Sequence, residues 1–295
     1  MDYRSEIMIT LVIAIIIFAF GVAAMSPVFR SQNFNPPPTP IPTADFRQSP
    51  KTTSYPYSVE GNRESINFTT YGGLSDYFSK KEDSYRYDFE KEVIMEELLE
   101  NKYQEENMQS LIELMRNKSN NPDDQAKIAI SLVQHIPYDK NRRDNISMHE
   151  FEKWDHPYET LYKNKGVCSD KSLLLAYLLN ELGYDTVLFE FSSHMAVGVK
   201  CSSDYDFYDT GYAFIETTDP TIITFDSGTY EGGFRVTSDF HIIHLNGGKK
   251  VLDVSTEYRD AIKMKQLHAM GKVLDHSNYT EWLRLTNNYD LQYVT

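Results

Sequence analysis

Apolar positions recur along the chain in distinct rhythms, and each rhythm predicts a different element. Ile7 to Met25 reads I-M-I-T-L-V-I-A-I-I-I-F-A-F-G-V-A-A-M without a charge. At 1.5 Å per residue, about 19 residues nearly cross a hydrocarbon core of roughly 30 Å, so the run predicts a transmembrane helix. A cleaved signal peptide is the alternative, because Gly21-Val22-Ala23-Ala24 supplies small residues near a possible cut. The length of the run and the absence of net positive charge over Met1–Glu6 favour an uncleaved anchor.

Asp88 to Lys118 shows helical spacing, with Val93, Leu98, Leu99, Leu111, Ile112 and Met115 set among charges. Asn120-Asn121-Pro122-Asp123-Asp124 is a helix start: a capping Asn, a proline in the first turn, then acids at the positive dipole end. That helix carries Ala126, Ala129, Leu132, Val133 and Ile136 on one side before Pro137 stops it. From Cys168 to Leu182 the polar face disappears, which predicts a central helix buried all round and ended by Gly183. The period then shortens to two, predicting strands over Thr186–Phe191, His194–Cys201 and Tyr212–Thr218. A further strand or two is expected within Arg235–Leu245, then helices over Thr256–Met270 and Tyr279–Tyr289. Between Thr53 and Arg86 no period is clear, and short strands and loops are expected. Helices first and sheet second describe an α+β domain.

Five parts follow from this pattern. Residues 1–30 are a tail and anchor, and residues 31–52, containing N35-P-P-P-T-P-I-P-T, are a proline-rich stalk that favours an extended spacer. Residues 53–123 begin the head, 124–224 form its core, and 225–295 complete it with strands and helices. A chain of 295 residues with 41% hydrophobic and 24% charged residues can fold such a head. A net charge of −14 argues against nucleic acid or an anionic lipid surface as the main partner. Arg4 and Arg30 on either side of the apolar run barely bias its orientation. Asn-x-Ser/Thr sequons at Asn67, Asn117, Asn145 and Asn278 fit a head outside the membrane.

The cysteines are Cys168 and Cys201, too few for a disulfide scaffold. Cys168 follows Gly166 at the mouth of the apolar helix, where unbonded N–H groups and the dipole favour a thiolate over a small core hydrophobe. His194 opens a strand whose alternation sets His194, Ala196, Gly198 and Lys200 on one face, with Met195, Val197, Val199 and Cys201 on the core face. The small neighbours of His194 leave room for a substrate or a thiol. Cys201, facing the core, is badly placed for a disulfide to Cys168 or a shared metal site, and no metal or cofactor is expected. On the next strand Tyr212, Phe214, Glu216 and Thr218 share a face, so Glu216 is placed to hold His194 Nδ1 and turn Nε2 toward sulfur. Asp219 is the alternative acid if a turn begins there. Trp154 and Tyr158 upstream, with Tyr212, are candidates to line a substrate cleft, or simply to pack.

The blocks A129-I-S-L-V-Q-H-I-P-Y138, H156-P-Y-E-T-L161, G166-V-C-S-D-K-S-L-L-L-A-Y-L-L-N-E-L-G-Y184, H194-M-A-V-G-V and Y212-A-F-I-E-T-T together resemble the transglutaminase-like superfamily in its bacterial and archaeal membrane-associated form. The resemblance implies a papain-like core, in which a nucleophile heads a central helix packed on an antiparallel sheet. It implies Cys168 as nucleophile, His194 as base and Glu216 as acid. Most members place Asp in a W-x-x-x-D-P-T pattern; aligning the aromatic residue selects Glu216, whereas aligning the triplet selects Asp219. The expected activity is thiol-dependent acyl transfer on a protein or peptide, with cell-surface polymers among the candidates. A membrane-anchored peptidase, isopeptidase or amidase leads, ahead of a protein-glutamine transglutaminase or a catalytically idle binding module.

Overall fold

A computed structural model of the chain describes residues 46–81, 91–146, 153–230, 233–271 and 273–291. The expected anchor at residues 7–25 and the proline run lie outside the described residues. Among those described, no helix is long and apolar enough to cross a membrane. Asp45–Thr295 form one unit, so the head starts earlier than the expected boundary at Thr53. Phe46 already packs its ring on Tyr77 and Tyr103, with centroids 5.2 and 4.9 Å away.

The stretch read as short strands and loops is a long antiparallel hairpin, β1 (Pro50–Val59) and β2 (Asn62–Tyr71), followed directly by α1 (Gly72–Lys80). Its two-residue turn, Glu60-Gly61, has φ of 51° and 78°, the left-handed pair that matches strand twist. Tyr55 and Tyr57 alternate inward, as do Ile66 and Phe68 on the partner strand. Tyrosine, serine and threonine in these positions blur a count of apolar residues, which concealed the period of two.

The single helical run expected over Asp88–Lys118 is two helices, α2 (Lys91–Leu99) and α3 (Lys102–Arg116). Asn101 breaks it, because its side chain caps α3 by accepting from the N–H groups of Tyr103 and Gln104. α4 (Pro122–His135) starts where the capping pattern put it, with Asn121 accepting from Asp123 N–H. Short α5 (Lys140–Ile146) and α6 (Pro157–Lys163) lead to α7 (Cys168–Glu181).

A four-stranded antiparallel sheet follows: β3 (Thr186–Phe191), β4 (His194–Lys200), β5 (Tyr212–Ile215) and β6 (His241–His244), in the order β5-β4-β3-β6. α8 (Ser255–Met270) and α9 (His276–Asn288) close the described chain. α7 lies on the sheet and is flanked by α4 and α6. Leu173, Leu174, Leu175, Leu178 and Leu179 are fully buried, each stabilising the head by about 1.5–3 kcal/mol. They share a core with Val197, Val199, Ile215 and Ile243.

The other face of the sheet is buried too, against an aromatic cluster of Phe189, Phe191, Phe207, Phe214 and Tyr230. This corrects the expectation that small residues beside His194 leave substrate space. A Cβ added at Gly198 would lie 2.6 Å from Val187 Cγ2 and 2.8 Å from Phe189 Cε2. The glycine accommodates its neighbours in the sheet.

Candidate active site

Cys168 is the first helical residue of α7, after an extended Val167 that has no capping side chain. Asp170 compensates from within the first turn: its Oδ2 accepts Val167 N–H at 3.0 Å and its Oδ1 accepts Asp155 N–H at 2.9 Å. Arg142 Nη1 reaches both Asp170 (2.6 Å) and Asp155 (2.9 Å), and Lys163 reaches Asp155 at 2.7 Å. Burial and the nearby Asp155 charge push the Asp170 carboxyl up to about 7, against the pull of Arg142. These bonds tie the segment before α6 to the helix start that presents the half-buried Cys168 thiol.

The next turn sets the register of α7 on the sheet. Lys171, fully buried, donates through Nζ to the carbonyls of Gln134, Ile136 and Thr218 at 3.2, 2.6 and 2.8 Å. Ser172 lies one turn beyond Cys168, on the same side of the helix. Its Oγ donates to Met195 O at 3.0 Å and lies 3.2 Å from Thr217 Oγ1. Met195 and Thr217 directly follow His194 and Glu216, so a single hydroxyl links the helix to both strands at the level of the site.

His194 Nε2 and Glu216 Oε2 are 2.8 Å apart, with side chains only 2% and 0% exposed. The second oxygen of Glu216 accepts from Thr217 N–H at 3.0 Å, Thr218 N–H at 2.8 Å and Thr218 Oγ1–H at 2.6 Å. These bonds turn the chain and end β5 at Ile215, short of the expected Thr218. The Cys168 sulfur also acts on the imidazole and favours its charged form. With Nε2 taken by Glu216, Nδ1 is the ring nitrogen left to meet the sulfur. This reverses the expected use of the two ring nitrogens: strand alternation places a ring on a face but does not set χ2, the torsion that orients it.

Burial opposes charge on His194, yet the Glu216 carboxylate and the hydrogen bonds to Cys168 and Glu216 outweigh it and push the imidazole up to about 10. Burial also opposes charge on Glu216, but His194 and Thr218 hold its carboxyl below the ordinary value. At neutral pH the arrangement is a buried imidazolium–carboxylate pair with the Cys168 sulfur on its open side.

Glu216, rather than the half-buried Asp219, meets the imidazole. Of the aromatic cleft candidates, Trp154 packs partly buried against the main core. Tyr158 is fully buried and its hydroxyl accepts Tyr71 N–H at 2.7 Å, so it lines no cleft. Tyr212 stands at the opposite end of β5 from Glu216, with its hydroxyl on Asp185 at 3.2 Å and Lys200 Nζ 4.5 Å from its ring centre. Cys201 is buried and donates to Ser202 O, away from the site. Sequence reasoning missed Lys171, Ser172 and Thr218. The hydroxyls beside Glu216 in E-T-T were the available signal for Thr218.

Comparison with known proteins bears on these residues. A family model described as a transglutaminase-like domain matches residues 105–228, a span that holds every candidate named from sequence and begins within α3. A solved structure titled "Crystal structure of a TGase" aligns at 14% identity over 75% of this chain, with a TM-score of 0.32. The chain spans about 60% of that structure's length, and a superposition this loose carries no weight for the fold. Among curated proteins nothing matches significantly. Over residues 105–228, the chain is similar to transglutaminase-like domains.

Proposed function

We propose that the head is a cysteine-dependent amide hydrolase with a papain-like arrangement, acting through a thioester on Cys168. The reading is supported above all by one continuous relay: a half-exposed thiol, an imidazole held charged, and a wholly buried carboxylate that accepts three further donors. Cys168 sulfur, its proton held by the imidazole, attacks the amide carbonyl carbon and forms the C–S bond. The oxyanion develops beside the start of α7, ahead of the first intrahelical bond from Lys171 N–H to Val167 O at 3.0 Å. His194 delivers its Nδ1 proton to the departing nitrogen as the C–N bond breaks. Water then adds to the thioester and gives one proton to Nδ1; the C–S bond breaks, releasing a carboxylic acid and restoring the Cys168 thiolate beside the imidazolium. Glu216 keeps Nε2 protonated throughout and fixes the ring.

Residues 7–25 tether this head to a membrane, and the head acts outside it on proteins or peptides; the support is the uncharged apolar run and the following proline-rich segment. The test is cleavage of a peptide library by the full-length protein, wild type beside Cys168→Ala, with a primary amine added in parallel. Products from the wild type alone are expected. Products from both proteins, or a wild-type Cys168 inert to thiol-reactive probes, would overturn the reading. Incorporation of the amine in place of cleavage would identify a transglutaminase.

A further inference from the structure

Phe234 lies beyond the span matched by the family model, yet its ring covers the imidazole. The two rings stack with centroids 4.1 Å apart and planes 18° apart. Bonds among its neighbours hold it there: Tyr230 N–H donates to Phe234 O and Gly233 N–H to Tyr230 O, both at 2.9 Å. Thr229 and Arg235 pair as an antiparallel bridge, and Arg235 Nε donates to Thr229 Oγ1 at 3.1 Å. Phe191, at 5.0 Å, and Tyr230, at 6.5 Å, support the Phe234 ring from the aromatic side of the sheet. Phe234 itself is half-buried. It therefore has the place of a cover over His194, joined to a second core.

We propose that Phe234 is a positioning residue for His194: its π face stabilises the charged imidazolium and restrains the ring in the plane that aims one nitrogen at Glu216 and the other at Cys168. A cation over an aromatic face is attracted by the ring quadrupole, and more strongly where water is excluded. The stack also blocks rotation of the imidazole about χ2, the torsion that alternation along β4 leaves open. Among the described residues, the titratable groups that act on His194 are Cys168 at the head of α7 and Glu216 after β5, while Tyr230, from the segment that carries Phe234, acts on Glu216. Burial, then the Glu216 charge, drives the Tyr230 phenol well up, so it stays neutral while His194 titrates. From β3 the neighbour is the uncharged Phe191. The catalytic consequence rests on the hydrolase reading; the effect on the imidazole does not.

The experiment follows the ring nitrogens of His194 by ¹⁵N NMR through a pH titration of the full-length protein, in the wild type, Phe234→Leu and Phe234→Trp. Alkylation of Cys168 by iodoacetamide is measured on the same samples. Leucine keeps an apolar cover without a π face, whereas tryptophan keeps the face. The His194 midpoint should fall by about one unit in Phe234→Leu, a tenfold change in its protonation equilibrium, and stay at the wild-type value in Phe234→Trp. Equal midpoints in wild type and Phe234→Leu overturn the proposal, as does an equal fall in both variants, which would mean packing alone. If Phe234→Leu loses the native amide spectrum, Phe234→Met makes the same comparison. Inert Cys168 in every sample, wild type included, would sink the hydrolase reading, while the midpoints still decide the role of Phe234.

Discussion

Glu216→Gln swaps one oxygen for an amide nitrogen at nearly constant shape, and the structure dictates which. Oε1 accepts from three donors at 2.6 to 3.0 Å, so that position must stay oxygen. The new amide nitrogen then faces His194 Nε2, formerly 2.8 Å from Oε2, and donates to it. An Nε2 that accepts forces the proton of a neutral ring onto Nδ1, the nitrogen that has to take the proton of Cys168. The carboxylate that held the imidazole up is also gone. His194 stands at about 10 against an ordinary 6.5, and without the counter-charge burial is opposed by Cys168 alone, so the midpoint should fall steeply. At pH 7.5 the ring should pass from imidazolium to the Nδ1–H neutral form. Replacing an orienting acid by its amide in an analogous triad costs roughly 10³–10⁴ in rate through the wrong tautomer, and a loss on that order is expected here. Two measurements need no substrate: the ¹⁵N spectrum of His194 and the rate of Cys168 alkylation at pH 7.5. A variant whose His194 is still imidazolium at that pH, or whose alkylation stays within about twofold of wild type, would refute the reasoning.

The same pair makes stability depend on pH. The raised His194 contributes stability that is complete below 6.5 and lost as pH rises through about 10. The lowered Glu216 contributes stability that is present above 4.5 and lost as pH falls through its folded value. Thermal melts should therefore fall more steeply between pH 6.5 and 10 for the wild type than for Glu216→Gln, and parallel curves would contradict the pairing. Ser172→Ala removes the buried link to Met195 O and Thr217 and should cost about 1–3 kcal/mol by urea unfolding, with slower Cys168 alkylation; unchanged values of both would show that Ser172 does not set the register. Gly198→Ala forces a Cβ to 2.6 Å from Val187 Cγ2 and should destabilise by about 1–3 kcal/mol, a cost that a denaturation curve matching wild type would rule out.

What could be read in advance followed patterns that depend on near neighbours. α7 announced itself because an all-round apolar helix has nowhere to sit but the middle, and α4 because Asn121-Pro122 satisfies a helix start locally. Strand alternation put His194 and Glu216 on a common face. The features that escaped depend on groups far apart in sequence or on torsions with no periodic trace. Asn101 splits a helical run through one side-chain cap, and β1 and β2 hide their alternation in tyrosines. From sequence Tyr158 could line a cleft or simply pack, and its hydroxyl, committed to the backbone of β2, decides for packing. The orientation of the His194 ring and the arrival of Phe234 are tertiary facts of the same kind.

α7 has protein on every side, and this limits how such a protein can be switched on or off. A surface helix can fray or tilt and carry its first residue several ångströms away, but Leu173 to Leu179 leave no opening through which α7 can loosen alone. Their amides should exchange with deuterium only when the whole head unfolds. Control over the sulfur has therefore to work by capping it, by changing the charge around it, or by deciding what reaches it.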